Sequence, residues 1–316
     1  MIVMKIRILI GWLAYLWKIQ RLGEPDQEEV LRIKRLRDLF NALPSIGNVN
    51  EVCSEWQRNR VQLRRLVQSD DPRRFLSWKV IRRTMFVNDT PYLYCELDYL
   101  QNKADWDSNW SDLVIEDSVG SPARLSGYPV SSGTNIHHAY HLAKFEEMTQ
   151  SAIKDKELIV EFGGGYGNMC RAVHRMGFRG QYVIIDLPEF SLLQQYFLES
   201  NQIEVYRDKS DFNKYRESGV YCVSDLEKLT AINGIASDSL FIACWSLSET
   251  PLSLRTAILQ KLNRFRSYLI GYQSAFEGVN NTEYFDSFMR ERPNNDWSHQ
   301  DIIHLAGNYY IFGKED

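Results

Sequence analysis

Residues 158–168 read Leu-Ile-Val-Glu-Phe-Gly-Gly-Gly-Tyr-Gly-Asn, a nearly unbroken apolar run that breaks into four glycines and then opens a helical pattern. A run without a polar face suits a strand covered on both sides, as in a parallel sheet flanked by helices. Glycines directly after it let the backbone take positive φ and approach a ligand closely, while the next helix start offers free N–H groups. The rest of the second half follows the same grammar. Strands are predicted at 158–162, 182–185, 220–223, 240–245 and 268–272, separated by helical patterns. Met169, Ala172, Val173 and Met176 form one such stripe, stopped by Gly177. Thr250 and Pro251 are expected to cap and start another, carrying Leu254, Ile258, Leu262 and Phe265. Two last strands, 302–304 and 309–312, should close a hairpin around Leu-Ala-Gly-Asn. The expected fold is α/β, a doubly wound sheet with a terminal antiparallel hairpin, preceded by a mainly helical N-terminal region.

That N-terminal region, placed at 1–125 against a ligand-binding domain at 126–316, differs in charge. Residues 1–83 hold 17 Lys and Arg against 9 Asp and Glu, a surplus of +8, which leaves −12 for the remainder of a chain whose net charge is −4. The whole is too acidic for a nucleic-acid-coating protein, so no nucleic-acid partner is expected. Residues 26–43 read as an amphipathic helix with Asp26 and Glu29 as a capping box. A second helix, about 49–67, carries Arg58, Arg60, Arg64 and Arg65, read first as a solvated face and second as a platform for phosphate or lipid. Between Arg7 and Lys18 lie ten uncharged residues, too few for the roughly 20-residue spanning helix. A helix docked on the protein is favoured there, with an interfacial helix on anionic lipid as the second reading. The five cysteines are dispersed without a CxxC pair, which suggests a reducing, cytoplasmic setting and no zinc ribbon.

The ligand can be narrowed from the residues themselves. The dinucleotide fingerprint GxGxxG fails in both registers, because its third glycine would fall on Asn168 or Cys170. What is present is an acidic strand end two positions before the first glycine, Glu161-x-Gly163-x-Gly165-x-Gly167. Asp186 ends the second predicted strand, 21 positions beyond Gly165, where a carboxylate can accept from both ribose hydroxyls. That spacing is shared with NAD enzymes and supports an adenosine ligand without choosing between cofactors. The fourth strand ends in Trp245, Ser246 and Glu249, at the sheet edge where open α/β folds bind ligands.

The Glu161-to-Gly167 pattern resembles motif I of the S-adenosylmethionine-dependent methyltransferases. More narrowly, residues 158–198 resemble the sugar O-methyltransferases of bacterial surface-polysaccharide gene clusters, with looser likeness at Gly133-Thr-Asn135-Ile-His137-His138, 245–249 and Gly307-Asn308-Tyr309-Tyr310. The resemblance implies a Rossmann-like methyltransferase sheet, S-adenosylmethionine as cofactor, and a sugar or glycan acceptor that is free, nucleotide-linked or lipid-linked. Glu161, Gly163, Gly164, Gly165, Asp186, Leu187, Asp225, Trp245 and Ser246 would then bind the cofactor. A sugar hydroxyl must lose a proton during or after attack, and His138, His299 and Glu249 are the candidate bases. His137, His141, Tyr128 and Trp297 are candidate substrate contacts, the aromatics as platforms for pyranose faces. No metal is expected. A cytoplasmic enzyme peripheral to the inner face of the membrane would give the basic N-terminal region a purpose. The competing readings are an NAD-dependent sugar epimerase or dehydrogenase and a non-catalytic cofactor-binding member.

Overall fold

A computed structural model of the protein describes residues 22–46, 54–207, 218–225, 238–262 and 264–315. The expected apolar helix before residue 19 lies outside the described residues. The described chain divides into two compact units, residues 22–44 with 59–140 and residues 45–46 and 54–58 with 141–315.

The first unit is helical. Helix α1 (Gln27–Ala42) starts as predicted, with the Asp26 side chain accepting from the Glu29 N–H and the Glu29 carboxylate accepting from the Asp26 N–H. Helix α2 (Ser54–Ser69) corresponds to the predicted second helix. The mixed text after Asp70 folds into short helices, including α3 (Lys79–Thr84) and α4 (Tyr92–Gln101), around fully buried Trp110, whose indole donates to Asp105 at 2.9 Å. Helix α5 (Gly133–Thr149) carries three of the six histidines, and the division between the units falls inside it.

The second unit is built on one eight-stranded sheet. Its elements are β1 (Leu158–Phe162), α6 (Asn168–Arg175), β2 (Gln181–Ile185), α7 (Pro188–Ser200), β3 (Val205–Tyr206), β4 (Gly219–Val223), β5 (Ser239–Cys244), α8 (Leu252–Lys261) and β6 (Ser267–Gln273). A small hairpin, β7 (Ala275–Phe276) and β8 (Val279–Asn280), leads into α9 (Asn281–Arg290), and β9 (Asn295–Asp301) and β10 (Asn308–Glu315) end the chain. The strand order is β3-β4-β2-β1-β5-β6-β10-β9, parallel except that β10 runs antiparallel to β6 and to β9. All five residues of β1 and all five of β2 are buried, as their apolar runs require. The chain moves outward from β1 through β2 and β4, then returns to place β5 on the other flank of β1. This return creates the switch point at which open α/β sheets bind ligands beyond the carboxyl ends of the strands.

Two local expectations are corrected. The terminal hairpin is shifted: Ile302 to His304 form the turn, and the strand before it is the polar stretch 295–301. An edge strand with one solvated face need not be apolar, so hydrophobicity picked the wrong residues. Thr250 does not cap α8; its hydroxyl donates to the Ser246 carbonyl at 2.8 Å, and Pro251 precedes the first helical residue.

Candidate functional site

The loop after β1 and the loop after β5 meet at the switch point. Gly163, at φ +72°, lies so close to Ser246 that a Cβ there would collide with that side chain, and the Ser246 hydroxyl donates to the Phe162 carbonyl. Gly164 passes over β1 and β2 so tightly that a Cβ would sit 2.5 Å from Ile184 Cγ2 and 3.1 Å from Glu161 Oε2. Gly165 and Gly167 also take positive φ, and Gly167 opens α6.

Glu161 is only 6% exposed and accepts from the Tyr182 hydroxyl at 2.8 Å. Burial pushes its pKa up to about 8; the Tyr182 hydrogen bond opposes the shift and the Asp186 charge adds to it. The raised pKa favours the protonated form of this carboxyl, which lies beneath Gly164. Cys170, Cys222 and Cys244 have thiols pushed far up by burial, with Glu161 adding to each, which disfavours the thiolate.

Asp186 follows β2 and is half-buried. It accepts from the Leu187 N–H and from Gln194 Nε2, each at 2.8 Å, and from the Gly165 N–H. Burial raises its pKa to about 7, and those three hydrogen bonds pull the other way. Gln194, buried on α7, also donates from the same nitrogen to the Gly165 carbonyl at 3.0 Å, tying the carboxylate to the loop. Its Oε1 is buried and without a hydrogen-bond partner. Leu187 is half-buried beside Asp186, and Asp225 is exposed just beyond β4.

On the other flank, Trp245 leaves β5 at φ +63°, unusual for a bulky residue. Its indole N–H donates to Asn308 Oδ1 at 2.7 Å, and its ring lies on Gly271, where a Cβ would come within 3.3 Å. The His141 ring sits 5.4 Å from that of Trp245, and its Nδ1 is hydrogen-bonded to the Tyr310 hydroxyl. Beyond Trp245 the loop is braced from inside: fully buried Arg255 donates to the carbonyls of Thr250 and Ser248, and Asn281 donates to those of Ser248 and Gln273. Burial raises the pKa of Glu249, with Trp56 opposing the shift and the Glu55 charge adding to it.

The second unit therefore brings together Glu161, Gly163, Gly164, Gly165, Asp186, Leu187, Trp245, Ser246, Glu249 and His141 at the carboxyl ends of β1, β2 and β5. Tyr128, His137 and His138 belong to the other unit. There His137 Nδ1 faces both oxygens of buried Glu96, at 2.9 and 3.0 Å, and Tyr128 and His138 are half-buried. His299 does not lie in a loop over the site. It is on edge strand β9, opposite Ile311, with Nε2 2.8 Å from the Tyr272 hydroxyl.

Trp297 is likewise no exposed platform. Its ring covers Gly313 and packs on Tyr268 and Phe288 at centroid distances of 5.2 and 5.9 Å, and its N–H donates to the Arg292 carbonyl. Trp297→Ala is therefore expected to lower stability by about 2 kcal/mol in urea denaturation while leaving ligand affinity at the switch point unchanged. A matching loss of affinity would return Trp297 to the site.

Sequence reasoning missed Gln194, Tyr182, Asn308 and Tyr310. The pair Asn308 and Tyr310 stood inside a stretch that already carried the family resemblance, which was the available signal.

No family model matches the chain, and no curated protein matches it either. Solved structures do. Podospora anserina methyltransferase PaMTH1, SAH-bound, is 10% identical over 87% of this chain and 100% of its own, with a TM-score of 0.37. An O-methyltransferase family protein from Burkholderia thailandensis is 9% identical over 71% and 68%, with a TM-score of 0.37. PigF with SAH is 13% identical over 91% and 96%, with a TM-score of 0.35. The fold of the second unit is an α/β one. Its marks are the parallel centre of the sheet, the antiparallel pair at the end of the chain and the helical region before it.

Proposed function

We propose that the chain is an S-adenosylmethionine-dependent O-methyltransferase whose acceptor is a sugar hydroxyl of a surface polysaccharide precursor. The observation that carries this reading is the Gln194 tie between Asp186 and Gly165, which presents a carboxylate to a ribose diol directly beside the glycine loop. The residues fit the cofactor on the page. Gly163 and Gly164 leave no room for side chains where the backbone must approach it, and Gln194 Oε1 keeps a buried acceptor unspent. The loop lacks the third glycine that a dinucleotide would call for.

When bound, S-adenosylmethionine supplies an electrophilic methyl group. Asp186 accepts from the ribose hydroxyls, Leu187 and Asp225 flank the adenine side, and Trp245 and Ser246 wall the methyl side. Holding the acceptor hydroxyl in line supplies several kcal/mol of the barrier. Of the groups named for proton removal, Glu249 has the observation in its favour, a half-buried carboxyl with raised proton affinity at the β5 edge. His138 is the second candidate, and His299 is engaged with Tyr272. A lipid-linked acceptor, and a place at the inner face of the membrane, rest on the basic N-terminal stretch. No helix among the described residues is long and apolar enough to cross a membrane.

The test is calorimetric titration with S-adenosylmethionine, S-adenosylhomocysteine (SAH) and NAD. Transfer of labelled methyl to free, nucleotide-linked and lipid-linked sugars follows. Binding of the first two ligands and methylation of a sugar are expected. Binding of NAD alone would overturn the assignment. With an acceptor in hand, unchanged turnover in both Glu249→Gln and His138→Ala would remove both bases.

A further inference from the structure

Side chains take the carbonyls of Trp245, Ser246, Ser248 and Thr250 in the loop after β5. Arg255, at the start of α8, serves two of them: its Nε donates to the Thr250 carbonyl at 2.6 Å and its Nη2 to the Ser248 carbonyl at 2.7 Å. The Tyr284 ring of α9 lies 4.6 Å from the guanidinium carbon, and no carboxylate pairs with this fully buried cation among the described residues. Arg255 Nη1 is buried without a hydrogen-bond partner, and so is Oδ1 of Asn281, whose Nδ2 shares the Ser248 carbonyl at 3.2 Å. A buried cation with no counter-charge and an unspent N–H, near the positive end of a helix, is a poor choice for stability alone. What it secures is the loop, and the loop leads to the glycines. The Thr250 hydroxyl donates to the Ser246 carbonyl at 2.8 Å, and the Ser246 hydroxyl donates to the Phe162 carbonyl. The Ser246 side chain then stands against Gly163, where a Cβ would collide with it. Printed residue by residue, the run is Arg255, Thr250, Ser246, Gly163, all within the unit that holds the sheet.

We propose that Arg255 is a positioning residue of the cofactor site, which sets the glycine loop through Thr250 and Ser246 without touching the ligand. This role rests on the cofactor reading above. With the Thr250 carbonyl held by Arg255 and the Thr250 hydroxyl on Ser246, the Ser246 side chain is kept at its place against Gly163, which holds φ +72°. Cutting that run leaves both loops more freedom before the ligand arrives. Binding must then order them, and the cost appears as lost affinity.

The test is calorimetric titration of SAH into the full-length wild type, Arg255→Met, Thr250→Val and the double variant. Methionine keeps the bulk and removes both donors, and valine keeps the shape and removes the hydroxyl. The fitted stoichiometry counts the folded fraction, and the melting temperature of each ligand-free variant reports stability separately. Arg255→Met should bind SAH about tenfold more weakly and Thr250→Val about threefold, with the double variant no weaker than Arg255→Met, because both changes cut one run. Losses that multiply to about thirtyfold in the double variant would refute the route through Thr250. If SAH binds Arg255→Met as it binds the wild type, whatever the melting temperature, Arg255 serves folding only and the cofactor assignment stands. Should Arg255→Met fail to fold, Arg255→Lys keeps the charge and serves one carbonyl; about a threefold loss is expected of it, and wild-type affinity would overturn the proposal. If the wild type gives no heat with SAH, the cofactor assignment fails and this role falls with it.

Discussion

Asp186→Ala is expected to weaken SAH binding about 100-fold, the loss of two hydrogen bonds to a charged acceptor. The effect should carry a pH signature. Because the ligand-free carboxyl has a pKa of about 7, a ribose diol that needs the ionised form must first displace its proton at lower pH. Affinity should therefore fall about tenfold per pH unit below 7 and level off above 8. SAH has an amino group that titrates nearby, so the quantity to compare is the ratio of wild-type to Asp186→Asn dissociation constants between pH 5.5 and 8.5. A ratio independent of pH would show that Asp186 does not receive the ribose.

Glu161→Gln should stabilise the protein at alkaline pH. The folded carboxyl titrates at about 8 against an ordinary 4.5, so the folded state holds a proton that the unfolded chain has released anywhere between those values. Rising pH therefore favours unfolding: the contribution of Glu161 is full below 4.5 and is lost as pH climbs through 8. Glutamine keeps an acceptor for the Tyr182 hydroxyl and has nothing to titrate. The variant should match the wild type at pH 4.5 and exceed it by about 4 kcal/mol at pH 9, in urea denaturation. A constant difference across that range would mean that Glu161 ionises without penalty and that its burial is relieved by some other group.

The central sheet was legible because buried parallel strands spell themselves out as apolar runs: 158–162 is the same segment in sequence and structure, and 182–185 is short by one residue. The terminal hairpin was legible as a hairpin but not in position, since β9 reads Asn-Asp-Trp-Ser-His-Gln-Asp and only its pairing with β10 makes it a strand. Asp186 could be found from its distance to the glycines. Gln194 could not, because an amide eight residues along a helix has no local mark of the loop it will hold. Asn308 is 63 positions from Trp245, and only the sheet order brings them into contact. The histidine cluster looked like one feature in the sequence. The structure splits it, with His137 engaged by Glu96 and His141 by Tyr310.

Trp245 marks a place where this chain accepts cost. A bulky residue at φ +63° is held against its own backbone preference by about 1 kcal/mol or more, and glycine would relieve that strain at once. Exchange for glycine would forfeit the ring's packing on Gly271 and its hydrogen bond to Asn308, several kcal/mol against about one relieved, so heat resistance alone would keep the tryptophan and its awkward backbone together.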